Sequence, residues 1–148
     1  MATRPGKALK LRETTDFASM RQLALNSGLE DGAYRDFVKA YGFFDGEELV
    51  ACAGLKEQGG VFSLECVAVK EELRGRGLGG KLVATVEEEA KKRGASKIWA
   101  LARAPSFFEK VGYRKVSAGE SEGPKLTACL GCRQYLRGCS PSIVLKVF

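Results

Sequence analysis

The sequence predicts an α/β fold, a mixed and mostly antiparallel sheet with helices on both of its faces. Three observations lead there. The apolar run Val67-Ala68-Val69 feeds a glycine-rich turn, R-G-R-G-L-G at residues 74–79, and then a segment of clean helical periodicity. Short alternating or apolar stretches, the mark of strands, lie on both sides of that unit. At 148 residues and 45% hydrophobic composition, the chain is long enough to bury a core within one domain spanning residues 1–148.

The elements follow in order. Residues 8–12, A-L-K-L-R, alternate and read as a first strand. Thr14, Thr15 and Asp16 supply an N-cap for a helix over residues 17–26, with Phe17, Met20, Leu23 and Ala24 on one face. Residues 27–32 break that pattern, and Tyr34, Phe37, Val38 and Tyr41 have the spacing of a second helix. Phe43-Phe44, then Asp45-Gly46, then residues 49–55 form a hairpin signal. Gly59-Gly60 turns the chain into a strand over residues 61–69. Leu78, Leu82, Val86 and Ala90 recur every four residues along the helix after the glycine turn, and Gly94 ends it. Glu87, Glu88 and Glu89 precede Lys91, Lys92 and Arg93 by four residues, the pattern of a solvated face. A buried strand over 97–101, a short helix over 107–111, a strand over 113–117 and a last strand over 143–148 complete the chain.

Composition removes several functional classes. No stretch approaches the 18 apolar residues of a membrane span, and no apolar block follows the basic residues near the start. The expected setting is the cytoplasm, with no membrane partner. The net charge of +6 invites a nucleic-acid reading, but the basic residues are spread along the chain without aromatic interleaving. That distribution suits a small polyanion better than a nucleic acid. The absence of histidine removes Ser-His and Cys-His catalytic pairs and imidazole metal ligation.

The glycine turn carries the chemistry. Glycines permit close backbone approach, and the unpaired amides of a first helical turn point at an anion. Arg74, Arg76 and Lys81 add positive charge at the same mouth, so the expected ligand carries phosphate. Gly75, Gly77 and Gly80 fit the dinucleotide spacing G-x-G-x-x-G, but the strand after the helix ends without the acidic residue a ribose needs. Gly75, Gly80 and Lys81 approach a P-loop, yet Leu82 stands where the Mg²⁺-binding hydroxyl should be.

These residues resemble a known family. Arg74, Gly77 and Gly79 match the R/Q-x-x-G-x-G/A acetyl-CoA signature of the GNAT N-acetyltransferase superfamily, flanked by V-A-V-K-E-E-L and G-K-L-V. A second segment, A-P-S-F-F-E-K-V-G-Y-R at residues 104–114, resembles the family's later motif, and the two stand in the right order. The resemblance covers residues 47–116 well and implies a GNAT-type fold with a cofactor-binding core over about 61–116. It implies acetyl-CoA as co-substrate. The pantetheine arm would enter a gap between the strand before the glycine loop and the strand after its helix. It would bond there to the backbone of Val67, Ala68 and Val69, while Arg74, Gly75, Arg76, Gly77, Leu78, Gly79 and Gly80 hold the pyrophosphate and Phe108 borders the cofactor.

Acetyl transfer needs a neutral amine, a polarised thioester carbonyl and a thiolate able to leave. Two substrates bound side by side need no covalent intermediate. Glu65 is the candidate base, since it lies just before the cofactor strand's backbone sites. Alternation places it on the face of Ser63 and Val67, opposite Leu64 and Cys66. The bland alternative is a solvated residue or salt-bridge partner, and Ser63 lies closer in motif spacing to the glutamate of some relatives. The family often places a tyrosine acid four residues before the glycine of the later motif. Here that residue is Phe108, so water supplies the proton or CoA leaves as thiolate. Cys52 and Cys66 read as small buried apolar residues, and with no neighbouring base a covalent route through Cys66 is disfavoured.

The tail, residues 123–148, carries Cys129, Cys132 and Cys139 as C-x₂-C-x₆-C. Three local cysteines without histidine fall short of a structural zinc set, so free thiols or a disulfide are preferred and no metal is assigned. This tail resembles stand-alone N-acetylglutamate synthase-like members, which implies an acidic amino acid such as glutamate as acceptor. It departs from them where Ser140-Pro141-Ser142 follows Cys139. Arg35, Lys125 and Arg133 are candidate contacts for the acceptor's carboxylates. The small-molecule acceptor stands beside three alternatives: a protein or peptide acetyltransferase, a non-catalytic acyl-CoA-binding module and a nucleic-acid binder. A homodimer is compatible with all of them.

Overall fold

The computed structural model describes residues 9–26, 37–102, 105–116 and 142–148. In chain order the elements are β1 (Lys10–Glu13), α1 (Phe17–Asn26), β2 (Lys39–Asp45), β3 (Glu48–Gln58), β4 (Val61–Val69), a 3₁₀ turn (Glu71–Leu73), α2 (Leu78–Lys92), β5 (Lys97–Ala102), α3 (Pro105–Lys110), β6 (Arg114–Lys115) and β7 (Ser142–Val147). The strands form one sheet in the order β1-β2-β3-β4-β5-β7-β6. Every pairing is antiparallel except β4 with β5, whose parallel connection runs through α2.

Two apolar layers cover the two faces. On one face α1 presents Met20 and Leu23 to Ala40, Cys52 and Ala68. On the other, α2 buries Leu78, Leu82, Val83, Val86 and Ala90 against strand residues that include Leu55, Leu64, Ile98 and Val144. Each aliphatic side chain buried this way contributes about 1.5–3 kcal/mol relative to exposure, so the four-residue apolar stripe of α2 holds the helix to the sheet. Asp16 caps α1 as expected. Its carboxylate accepts from the Ser19 amide at 3.1 Å and from the Ser19 hydroxyl at 2.6 Å, which holds the Asp16 carboxyl below its ordinary range. None of the described helices is long and apolar enough to cross a membrane.

Three expectations need correction. Phe37, Val38 and Tyr41 do not belong to a second helix, because residues 39–45 form β2 between β1 and β3. Tyr41 and Phe43, two residues apart, both pack on the α2 layer while Ala40 packs on the α1 layer. Pairing on both sides overrode the helical spacing. Tyr34 lies outside the described residues.

Glu87 is not on a solvated face. It is 6% exposed, accepts from the Tyr113 hydroxyl at 2.9 Å and from Lys146 Nζ at 3.0 Å, and so links α2 to the end of the sheet. Of the outer charges, Glu89 pairs with Arg93 four residues on, as expected, while Glu88 pairs with Lys91 three residues on. The third correction concerns the face of Glu65.

Candidate functional site

The site begins where the parallel ladder stops. β4 and β5 pair only at Ser63–Trp99 and Leu64–Ala100, although β4 runs on to Val69 and β5 to Ala102. Beyond Leu64, the β4 backbone groups that point away from β3 face the opening between the two strands. Val67, Ala68 and Val69 lie on this stretch.

A β-bulge reshapes the same stretch. Cys52 pairs with Ala68 and Gly54 with Glu65, so Ala53 alone stands opposite both Cys66 and Val67. Cys66 absorbs the extra residue with a φ of 59°, the left-handed region that a non-glycine residue seldom enters. The bulge resets the alternation. Leu64, Val67 and Val69 pack on the α2 layer, while Cys66 and Ala68 pack on the α1 layer. Glu65 therefore does not share a face with Val67, and Cys66 is not opposite Glu65. Both residues turn toward the α1 side.

There Glu65 meets polar partners. Its Oε2 accepts from the Ser63 hydroxyl at 3.1 Å, and its Oε1 lies 3.6 Å from Lys56 Nζ. Lys56 is itself buried, with its ammonium 4.9 Å from the centre of the Phe37 ring. Phe37 in turn meets Phe17 of α1 in a tilted ring contact, with centroids 5.3 Å apart. The salt-bridge alternative for Glu65 is thus realised in the geometry, and Lys56 is a charged residue of the site that sequence reasoning passed over. Only the strand pairing of Lys56 with Ser63 brings it there. Nothing in the local sequence marks it.

Cys52 and Cys66 are neighbours across β3 and β4, with Sγ atoms 3.9 Å apart. The hydrogen bond with Cys66 and burial push the Cys52 thiol far above its usual range. It stays protonated, which removes it as a nucleophile.

On the α2 side the glycine loop leaves β4. Arg74 Nε donates to the carbonyl oxygen of Val69 at 3.2 Å and fastens the loop to the strand end. Gly75 and Gly77 adopt positive φ values of 81° and 76°, and Gly77 is the N-cap of α2. No acidic side chain occupies the first turn of this helix. Its first amides, with Arg74, Arg76 and Lys81 exposed around them, form an electropositive mouth suited to a phosphate.

Gly79 has a different task. A Cβ there would stand 3.1 Å from the Phe107 ring, so its smallness lets α3 pack onto the start of α2. Leu78 is buried beside it, and at Gly80 a Cβ would meet only ordinary contact with Val111. Phe108 is buried at 7% exposure between Phe107 and Tyr113, with ring centroids at 5.1 and 5.4 Å. It presents no proton donor. Arg35, Lys125, Arg133, Cys129, Cys132 and Cys139 lie outside the described residues.

Comparison with known proteins agrees with this geometry. A model described as the acetyltransferase (GNAT) family matches residues 9–113. No curated protein matches the sequence. Among solved structures, N-acetylglutamate synthase from Neisseria gonorrhoeae, complexed with coenzyme A and N-acetyl-glutamate, superposes with a TM-score of 0.70 at 18% identity. The match covers 95% of this chain and 35% of that one, so this chain spans about a third of the synthase's length. A GNAT acetyltransferase from Staphylococcus aureus Mu50 gives 0.73 at 14% identity, covering 95% and 99% of the two chains. A chain of the NatC complex bound to Gag peptide and CoA gives 0.73 at 15% identity, covering 96% and 99%. At these identities the likeness concerns the fold. The family match extends from β1 through Tyr113 and takes in both the opened strand pair and the glycine loop, and the chain belongs to the acetyltransferase (GNAT) family.

Proposed function

We propose that this protein transfers an acetyl group from acetyl-CoA to the α-amine of a small acidic amino acid such as glutamate, by direct attack in a ternary complex. The single observation that carries the reading is the division of labour across the β4–β5 opening. The phosphate-binding mouth lies on the α2 side, and the carboxylate of Glu65 lies on the α1 side. Two substrates can then approach one opening from opposite faces without displacing each other.

The pyrophosphate rests on the loop formed by Arg74, Gly75, Arg76 and Gly77 and on the first amides of α2. The pantetheine arm runs along the backbone of Val67, Ala68 and Val69, where β4 has parted from β5. Acetyl-CoA supplies the activated carbonyl. Glu65 takes a proton from the acceptor ammonium, and the freed amine attacks the carbonyl carbon. The carbon–sulfur bond breaks as the nitrogen's second proton passes to water, and water returns a proton to the thiolate, since Phe108 has none to give. Related structures complexed with CoA support the co-substrate, and the synthase's N-acetyl-glutamate supports the acceptor class.

A peptide amine is the second reading, favoured by the likeness to the NatC chain bound to a peptide. A CoA-release assay across free amino acids and short peptides separates the two. Turnover confined to peptides would overturn the amino-acid reading.

A further inference from the structure

The described residues contain three buried polar or charged side chains: Lys56, Ser63 and Glu87. Glu87 is accounted for by Tyr113 and Lys146, which tie α2 to the sheet. The other two both touch Glu65. Burying an ammonium is expensive, and its partner Glu65 is one-third exposed, so the pair is weak evidence for a stability role. A role in recognition accounts for what stability does not.

We propose that the Lys56–Glu65 pair is a receptor for the zwitterionic head of a free α-amino acid, with Lys56 taking the α-carboxylate and Glu65 the α-amine. The proposal rests on the acyl-transfer reading above and deepens it by naming what the acceptor must carry. Three features support it. First, Glu65 is the residue immediately beyond the last β4–β5 rung, at Leu64–Ala100, so the pair sits at the mouth of the opening. Second, the separation of 3.6 Å exceeds the ~2.7–2.9 Å of a charge-assisted N–H···O bond, so Lys56 and Glu65 are not locked tightly to each other. Third, the charges are complementary in sign and spacing. The amine nitrogen and carboxylate oxygens of an α-amino acid lie roughly 3 Å apart by backbone bond lengths, close to the spacing of the two protein charges. The Phe37 ring beneath the ammonium and the Ser63 hydroxyl on the carboxylate hold both partners in place.

A peptide N-terminus or a lysine side chain offers the amine without the adjacent carboxylate. Such an acceptor offers Lys56 no carboxylate, so discrimination against it follows from the charge-assisted contact it cannot make.

The test compares L-glutamate with its α-carboxamide, and a short peptide with both, at saturating acetyl-CoA. The wild type is expected to favour the free acid by about tenfold to a hundredfold in kcat/KM. Lys56→Gln should erase that preference, mainly through KM, with CoA affinity unchanged, and Lys56→Arg should keep it. A wild type that acetylates acid and carboxamide equally overturns the proposal without any variant being made. So does a Lys56→Gln protein that still binds CoA and retains the preference. If the wild type binds acetyl-CoA but acetylates no amine, acyl transfer itself is wrong and the receptor falls with it.

Discussion

Arg74 Nε donates to the backbone carbonyl oxygen of Val69 at 3.2 Å, so the last residue of β4 and the first arginine of the glycine loop are fastened together. This contact fixes the loop relative to the strand whose backbone is to hold the pantetheine arm. Arg74→Ala should therefore weaken CoA binding about tenfold, by losing both a phosphate charge and the anchor. Arg76→Ala, which removes exposed charge alone, should weaken it less. Isothermal titration with CoA reads both, and unchanged affinity in both variants would count against the phosphate mouth.

The two kinds of glycine in the loop separate by substitution. Gly77 holds a φ of 76° with open space around it, so Gly77→Ala should cost about 1–2 kcal/mol through backbone strain alone. Gly79→Ala forces its new methyl against the Phe107 ring and should cost about 1–3 kcal/mol by overpacking. Gly80→Ala finds only ordinary contact and sits in a helix, where alanine is worth roughly 0.5–1 kcal/mol more than glycine. Urea unfolding should rank the three with Gly80→Ala at or above the wild type.

Glu65→Gln keeps the shape of the side chain and removes its basicity. Loss of a general base lowers kcat/KM by about 10²–10⁴, with CoA affinity preserved because Glu65 faces the α1 side. Full activity in this variant across the pH range would remove Glu65 as the base.

Alkaline stability follows from two tyrosines. Burial, with the nearby charge of Glu89, pushes Tyr41 up to about 12. Burial and the charge of Glu87 raise Tyr113 further. A phenol whose folded value is raised contributes stability that is fully present below its unfolded value of about 10 and is lost as pH rises through the folded one. Stability should fall from about pH 10 upward. Tyr113→Phe, which removes the buried hydroxyl's contribution, should flatten that fall while lowering stability near neutral pH by about 1–3 kcal/mol, since Glu87 loses a partner. Thermal melts at pH 7 and at pH 10.5 compare the two effects.

Much of this was legible in the residues themselves. The apolar stripe from Leu78 to Ala90, the Asp16 cap, the hairpin after Phe43-Phe44 and the glycine turn that opens α2 are local signals. They depend on spacing within one element. The first part of β2, residues 39–41, carries a helical signal instead, because Tyr34, Phe37, Val38 and Tyr41 share helical spacing, and only pairing with β1 and β3 decides between the two.

The sequence by itself determined the family and most of the elements, because each is written in residues close together along the chain. Tertiary structure decided the face of Glu65. The usual mark of a left-handed bulge is a glycine, and Cys66 takes that conformation instead, so alternation counted from Ser63 overshoots by one residue. Tertiary structure also brought Lys56 to Glu65 from another strand. A register fixed by the whole sheet, with a bulge forced into it at Cys66, is a property that no single segment encodes.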